Sequence, residues 1–240
     1  MTEAKVRLYV EQPLAPGQPV ALGIDHANYL FNVMRLGPGD PVTLFNGRDG
    51  QWTATVVQAG KRAGVLHCDV MTGPQKQPPD LWLLFAPIKK ARTDFIVEKA
   101  VELGAARVIP VQTRYTNERI RPDKLQAHAV EAGEQCGATF VPKVADLVPL
   151  GDLLANWPIG RRILWCDEGL AGQPMALQGP RGLPWAILIG PEGGFSPDEQ
   201  TRLRALPQEV PLSLGPRILR ADTAAVAALT LWQAALGDWG

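Results

Sequence analysis

Three glycines and a glutamate crowd into Gly190-Pro191-Glu192-Gly193-Gly194, after the apolar Ile187-Leu188-Ile189 and before Phe195-Ser196-Pro197-Asp198-Glu199. Backbone without Cβ atoms can approach a ligand closely. Ser196, Pro197 and Glu199 have the spacing of a capping box that opens a helix. Strand, tight turn and helix in that order match the way open α/β sheets hold ligands at the carboxyl ends of parallel strands. The spacing is neither G-x-G-x-x-G nor a Walker loop, because Phe195 stands where a lysine, serine or threonine would meet phosphate. Taken alone, the run also suits a tight turn that binds nothing.

A second constellation runs from Leu212 to Ala225, where Gly215-Pro216 ends an apolar run and Arg217 and Arg220 bracket Ile218-Leu219. Arg220 opens an apolar helix, a place where burial would demand an anionic partner. Either it is a cation aimed at developing negative charge, or it pairs with Asp222, Glu192 or a carboxylate of a partner chain. Other reactive side chains are less suggestive. His26, His67 and His128 are isolated, Cys136 falls on an apolar helix stripe and reads as core, and Trp52, Trp82, Trp165 and Trp185 read as packing residues of strands. Cys68, Cys136 and Cys166 lie far apart, with no C-x-x-C pair, which argues against a disulfide framework and against any metal site.

The elements that must position these residues change character along the chain. Up to residue 73 the sequence predicts strands and turns around one short helix, capped by Asp25 and running to about Met34. Strands are predicted over Pro41–Asn46, Gln51–Gln58 and Gly64–Met71, separated by glycine-rich turns, a spacing that favours a small barrel. The proline-rich stretch after Gly73 marks a boundary between a first domain, 1–73, and a second, 74–240. Strands and helices then alternate. Strands are expected at Leu81–Ala86, Arg107–Val111, Ile163–Cys166, Trp185–Ile189 and Val210–Leu214, and helices at Arg92–Leu103 and from Pro122 to Cys136. The last helix, Ala221–Leu236, is apolar nearly all round, so it should be buried on more than one side, in part against a second subunit.

Composition narrows the class. In 240 residues, 46% are hydrophobic and 20% charged, far from the signature of disorder. No run approaches the ~18 apolar residues of a membrane span, and Glu3, Lys5, Arg7 and Glu11 interrupt any leader, so the expectation is a cytoplasmic protein without a membrane partner. The formal net charge is zero, but residues 85–125 hold nine basic side chains against five acidic ones, a local excess that suits nucleic acid as well as a solvated face.

Five ordered motifs resemble the RsmE family of 16S rRNA uridine-N(3) methyltransferases, of the SPOUT class. They are LFNVMRLGPGDPVTLF from Leu30, EKAVELGAARVIPVQT from Glu98, EAGEQCG from Glu131, LIGPEGGFSPDE from Leu188 and LGPRILRADTAA from Leu214. The resemblance implies an α/β fold: a PUA-like β-barrel followed by a SPOUT methyltransferase domain threaded into a trefoil knot, an arrangement that general topology rules treat as exceptional. It implies S-adenosylmethionine as cofactor, held by Val111, Gln112 and Thr113, by Ile189, Gly190, Glu192, Gly193 and Gly194, and by Leu214, Gly215, Ile218 and Leu219. It also implies a homodimer acting on 16S rRNA within the small ribosomal subunit, at a uridine of the decoding region. Two positions depart from the family pattern: Asp222 replaces the usual glutamate, and Ala138 stands where an arginine commonly follows Glu-Gln-Cys-Gly.

Methylating uracil N(3) requires removal of its proton and stabilisation of the resulting charge. Arg220 is the candidate for the second task and Glu192 for the first, as base or orienter. Arg7, Arg35 and Arg48 of the first domain and Lys89, Lys90 and Arg92 of the second are the candidate RNA contacts. Two other readings compete: an RNA-binding ribosome-assembly protein without catalysis, and a different nucleotide-dependent α/β enzyme.

Overall fold

A computed structural model describes residues 4–172 and 177–239. The chain divides into two units, Met1–Gln77 with Gly133–Val141, and Pro78–Ala132 with Pro142–Gly240. The first therefore runs a few residues past the boundary at Gly73 and recovers a short segment from far downstream.

The first unit contains β1 (Arg7–Tyr9), β2 (Pro19–Leu22), β3 (Pro41–Phe45), β4 (Gln51–Ala59) and β5 (Gly64–Gly73), ordered β1-β3-β4-β5-β2. Alternation builds its core. Trp52, Ala54 and Val56 of β4 point inward with Val42, Leu44, Leu66 and Cys68, while the residues between them on β4 are more open. β1 and β2 are too short to show a period and were not foreseen. Between β2 and β3 the backbone forms α1 (Ile24–Ala27), then a π-helical stretch, Asn28–Val33. Gly23, not Asp25, is the N-cap; Asp25 lies in the first turn, where its charge suits the positive end of the helix. Arg35, at φ 58°, reverses the chain after this stretch.

Residues 133–141 belong to this unit through specific bonds. Arg7 donates to the Gln51 side chain and, at 2.7 Å, to the carbonyl of Ala138, while its guanidinium lies 5.0 Å from the centre of the Phe45 ring. The Tyr9 amide donates to Glu134 Oε1 at 2.9 Å, and the Lys76 amide to Thr139 Oγ1 at 3.0 Å. Arg7, expected as an RNA contact, is a half-buried brace instead. At Ala138 the main-chain carbonyl makes the contact, whatever side chain the position carries.

The second unit is a parallel sheet with helices. Its elements are β6 (Leu81–Phe85), α2 (Lys90–Glu102), β7 (Arg107–Gln112), α3 (Pro122–Cys136, of which the residues from Gly133 on count with the first unit), β8 (Lys143–Val144), β9 (Val148–Pro149), α4 (Leu150–Ala155), β10 (Arg162–Cys166), β11 (Trp185–Ile189), α5 (Pro197–Arg204), β12 (Glu209–Leu212) and α6 (Ala221–Ala235). The order is β12-β10-β11-β6-β7-β8, with β9 also pairing β7, and every pairing is parallel. β11 lies between β10 and β6 with all five residues buried, which explains its unbroken apolar run.

The last helix packs on α2 and β11. Gln233, one of its few polar residues, is fully buried because both ends of its amide are used: Nε2 donates to the Leu103 carbonyl at 2.6 Å, and Oε1 accepts from the Asp238 amide at 3.1 Å. Val226, Ala227, Thr230 and Leu231 remain only half-buried. Cys136, expected in the core, is exposed, because α3 ends there. Among the described residues, no helix is long and apolar enough to cross a membrane.

Candidate active site

Parallel strands deliver their carboxyl ends to one edge of a sheet, so the segments following the adjacent strands β12, β10 and β11 meet there. They enclose a cavity of about 510 Å³, within the usual range for small-molecule sites. Ile189, Phe195, Leu212, Leu214, Ile218 and Leu219 line it together with the glycines at 190, 193, 194 and 215.

The turn after β11 is shaped by two glycines. At Gly190 an added Cβ would come within 3.0 Å of the Phe195 ring, which in turn sits edge-on to Trp165 with centroids 5.8 Å apart. Gly194 adopts φ 69° and donates its amide to the Pro191 carbonyl at 2.9 Å, closing the turn. The expected capping box opens α5: Ser196 accepts from the Glu199 amide, and Glu199 accepts from the Ser196 amide at 2.8 Å. The other oxygen of Glu199 accepts from the Arg114 amide at 2.7 Å, so one carboxylate ties the turn after β7 to the turn after β11.

Of the residues predicted to hold a cofactor, Ile189, Gly190, Glu192, Gly193, Gly194, Leu214, Gly215, Ile218 and Leu219 line the cavity. Val111, Gln112 and Thr113 do not. Val111 and Thr113 are buried, and the turn that follows them packs behind the wall, with Tyr115 Cβ 3.4 Å from where a Gly193 Cβ would stand. The segment after β10 takes part of the lining instead, through Trp165, Cys166, Asp167, Gly169 and Ala171. Asp167 is bound by Arg204 Nη2 at 2.9 Å and by the Gly169 amide at 2.9 Å. Burial pushes the Cys166 thiol up to about 12, which favours the neutral thiol at this part of the lining. The glycines at 169 and 172, just past a predicted strand, were the signal that could have found this loop.

Arg220 also lines the cavity, as the N-cap residue of α6. It is exposed, and its guanidinium has no partner among the described residues. The carboxylates foreseen for it are taken by Arg92: Nη1 donates to Glu192 Oε1 at 3.0 Å, and Nε lies 3.7 Å from Asp222 Oδ2. Arg92 is therefore occupied within the second unit. Among the other basic candidates, Arg48 donates to the Glu11 carbonyl at 2.8 Å, Lys90 pairs with Asp94 at 2.6 Å, and Arg35 and Lys89 are exposed.

A family profile described as an RNA methyltransferase domain matches residues 75–233, and one described as an RNA methyltransferase PUA domain matches residues 23–66. The ribosomal RNA small subunit methyltransferase E of Rickettsia conorii is 30% identical over 232 residues, covering 93% of each chain. This chain belongs to that methyltransferase family. The structure of a family member from Neisseria gonorrhoeae, bound to S-adenosyl methionine, matches with a TM-score of 0.89 at 28% identity, covering 98% of this chain and 99% of that one. A putative methyltransferase of Legionella pneumophila, in complex with its bound cofactor SAM, matches with a TM-score of 0.87 at 29% identity, covering 99% and 100%. The family fold is thus the SPOUT methyltransferase fold preceded by a PUA-like domain, as the motifs implied.

Proposed function

We propose that the chain transfers a methyl group from S-adenosylmethionine to N(3) of a specific uridine in 16S rRNA, in the decoding region of the small subunit, as a cytoplasmic homodimer. The observation that carries this reading is the cavity at the ends of β10, β11 and β12, lined by the glycines of the turns and by apolar residues. Such a lining suits a nucleoside. Membership of a family whose solved members hold this cofactor supports it. Backbone groups of the turns at 190–194 and 214–219 would hold the cofactor, which supplies an electrophilic methyl group when bound.

The protein's share of the chemistry is positioning and charge. Uracil N(3) is protonated at neutral pH, and removing the proton places negative charge on the flanking carbonyl oxygens. The unpaired guanidinium of Arg220 is available to those oxygens, and its planar fork can meet a carbonyl with two donors. Glu192 has one oxygen held by Arg92, which leaves Oε2 to take the proton or orient the ring. The half-buried apolar side chains of α6 are the surface we assign to the second subunit.

Calorimetric titration with S-adenosylmethionine and, in parallel, NAD tests the cofactor. Binding of the first alone is expected, and binding of neither would return the chain to a non-catalytic assembly role. Mass spectrometry of small-subunit RNA after incubation then locates the methyl group. A methyl on any atom but uracil N(3) would overturn the assignment.

A further inference from the structure

Arg92 comes from the first turn of α2, away from the three segments that wall the cavity, yet it reaches two of them. Its guanidinium donates to Glu192 in the turn after β11 at 3.0 Å and lies 3.7 Å from Asp222 in the first turn of α6. The arginine side chain is 29% exposed and that of Asp222 21%, so neither is fully screened by water. Asp222 is also engaged through Oδ1, which accepts from the Thr223 amide at 3.0 Å. Two residues before Asp222 stands Arg220, exposed and unpartnered among the described residues.

We infer that Arg92 is a positioning residue: it neutralises Glu192 and Asp222 and thereby keeps the Arg220 guanidinium free for the RNA base. The reasoning is electrostatic. Two carboxylates beside the place where an RNA base must approach the bound cofactor repel the polyanion that carries it, and they also offer Arg220 an ion pair that would draw it from the cavity. One shared cation removes both effects and, by bridging two segments, fixes their spacing. A lysine would keep the charge but, with a single nitrogen, could not set one nitrogen against Glu192 and another beside Asp222 as Nη1 and Nε do. The inference rests on the proposed methyl transfer to RNA and adds to it a division of labour: one arginine serves the carboxylates, the other the base.

The test compares wild type, Arg92→Gln, Arg92→Lys and the double variant Arg92→Gln/Asp222→Asn, as full-length protein. Four quantities are measured: single-turnover methylation at saturating small-subunit RNA, the RNA concentration for half-maximal rate, cofactor-free RNA affinity across a salt series, and melting temperature. Arg92→Gln is expected to lower the saturated rate about ten- to hundredfold, the scale of one lost charge-assisted hydrogen bond. Its melting temperature should stay within a few degrees of wild type. Arg92→Lys should fall between the two.

The decisive arm is the double variant. Removing one of the unbalanced carboxylates should recover most of the lost rate and bring the salt dependence of RNA affinity back toward wild type. A brace that merely holds the fold would not be rescued by deleting its second partner. Failure of rescue overturns the inference, as does an unchanged saturated rate with only a higher RNA requirement, which would make Arg92 a plain RNA contact. Wild type that binds no S-adenosylmethionine or methylates no RNA would instead refute the underlying functional reading, so the two failures are distinguishable.

Discussion

Arg220 carries a sharp expectation because its guanidinium is unpaired. If it stabilises charge that appears on uracil as the proton leaves, the interaction is stronger in the transition state than in the ground state, and its loss falls on turnover. Arg220→Ala should lower single-turnover methylation of small-subunit RNA by about 10²–10³-fold, the range for removing one such donor. Cofactor affinity and melting temperature should hardly move, since the side chain braces nothing among the described residues. A normal rate in the folded variant would end the catalytic assignment. Gly194 is different, because at φ 69° it closes the turn on which the ligand would rest. A β-branched residue is poorly tolerated there, so Gly194→Val should abolish S-adenosylmethionine binding in calorimetry while circular dichroism still reports a folded protein. Unchanged affinity would remove this turn from the site.

Among the elements, the turn between β3 and β4 is tied by a carboxylate to the segment before β2. Asp49 Oδ2 accepts from Asn46 Nδ2 at 2.6 Å and from the Leu14 amide at 2.9 Å, and these bonds, the Asn46 one first, hold its pKa below the ordinary carboxylate range. A lowered folded-state pKa means that the stabilisation is present above the unfolded value and lost as pH falls through the folded one. Asp49→Ala should thus destabilise the protein by on the order of 1 kcal/mol at neutral pH, and the difference should shrink below about pH 4. An undiminished difference in acid would contradict this. Elements with local causes were legible in the sequence: the apolar run of β11, the capping box of α5 and the turn-bounded strand β4 were each read to within a residue or two. The π-helical winding of Asn28–Val33 was not, since apolar spacing there cannot distinguish a bond to the fourth residue from one to the fifth. For the site, glycine turns disclosed two of the three cavity segments. Exposure of Arg220 was hidden because it depends on which cation reaches Glu192 and Asp222 first, and that cation is a hundred residues away from Glu192.

At the scale of the molecule, the proline-rich boundary is only part of the division, because Gly133–Val141 returns to the first unit. A fragment from Pro79 to Gly240 retains every residue that lines the cavity. It lacks Arg7, Tyr9 and Lys76, the partners of Ala138, Glu134 and Thr139. Such a fragment should still bind S-adenosylmethionine yet melt clearly below the full chain, and it should lose RNA affinity with the first unit. Equal melting temperatures in calorimetric scans would show that residues 133–141 need no partner. The same returning segment has a consequence for biosynthesis. Chains emerge at about 5–20 residues per second, so the interval between Gln77 and Gly133 lasts roughly 3–11 s. Throughout it the nascent first unit has its strands but not its last nine residues, and Arg7 has no Ala138 carbonyl to bind. Vectorial folding of this protein cannot finish its first unit first: the amino-terminal domain must wait, incomplete, while more than a third of the second is made.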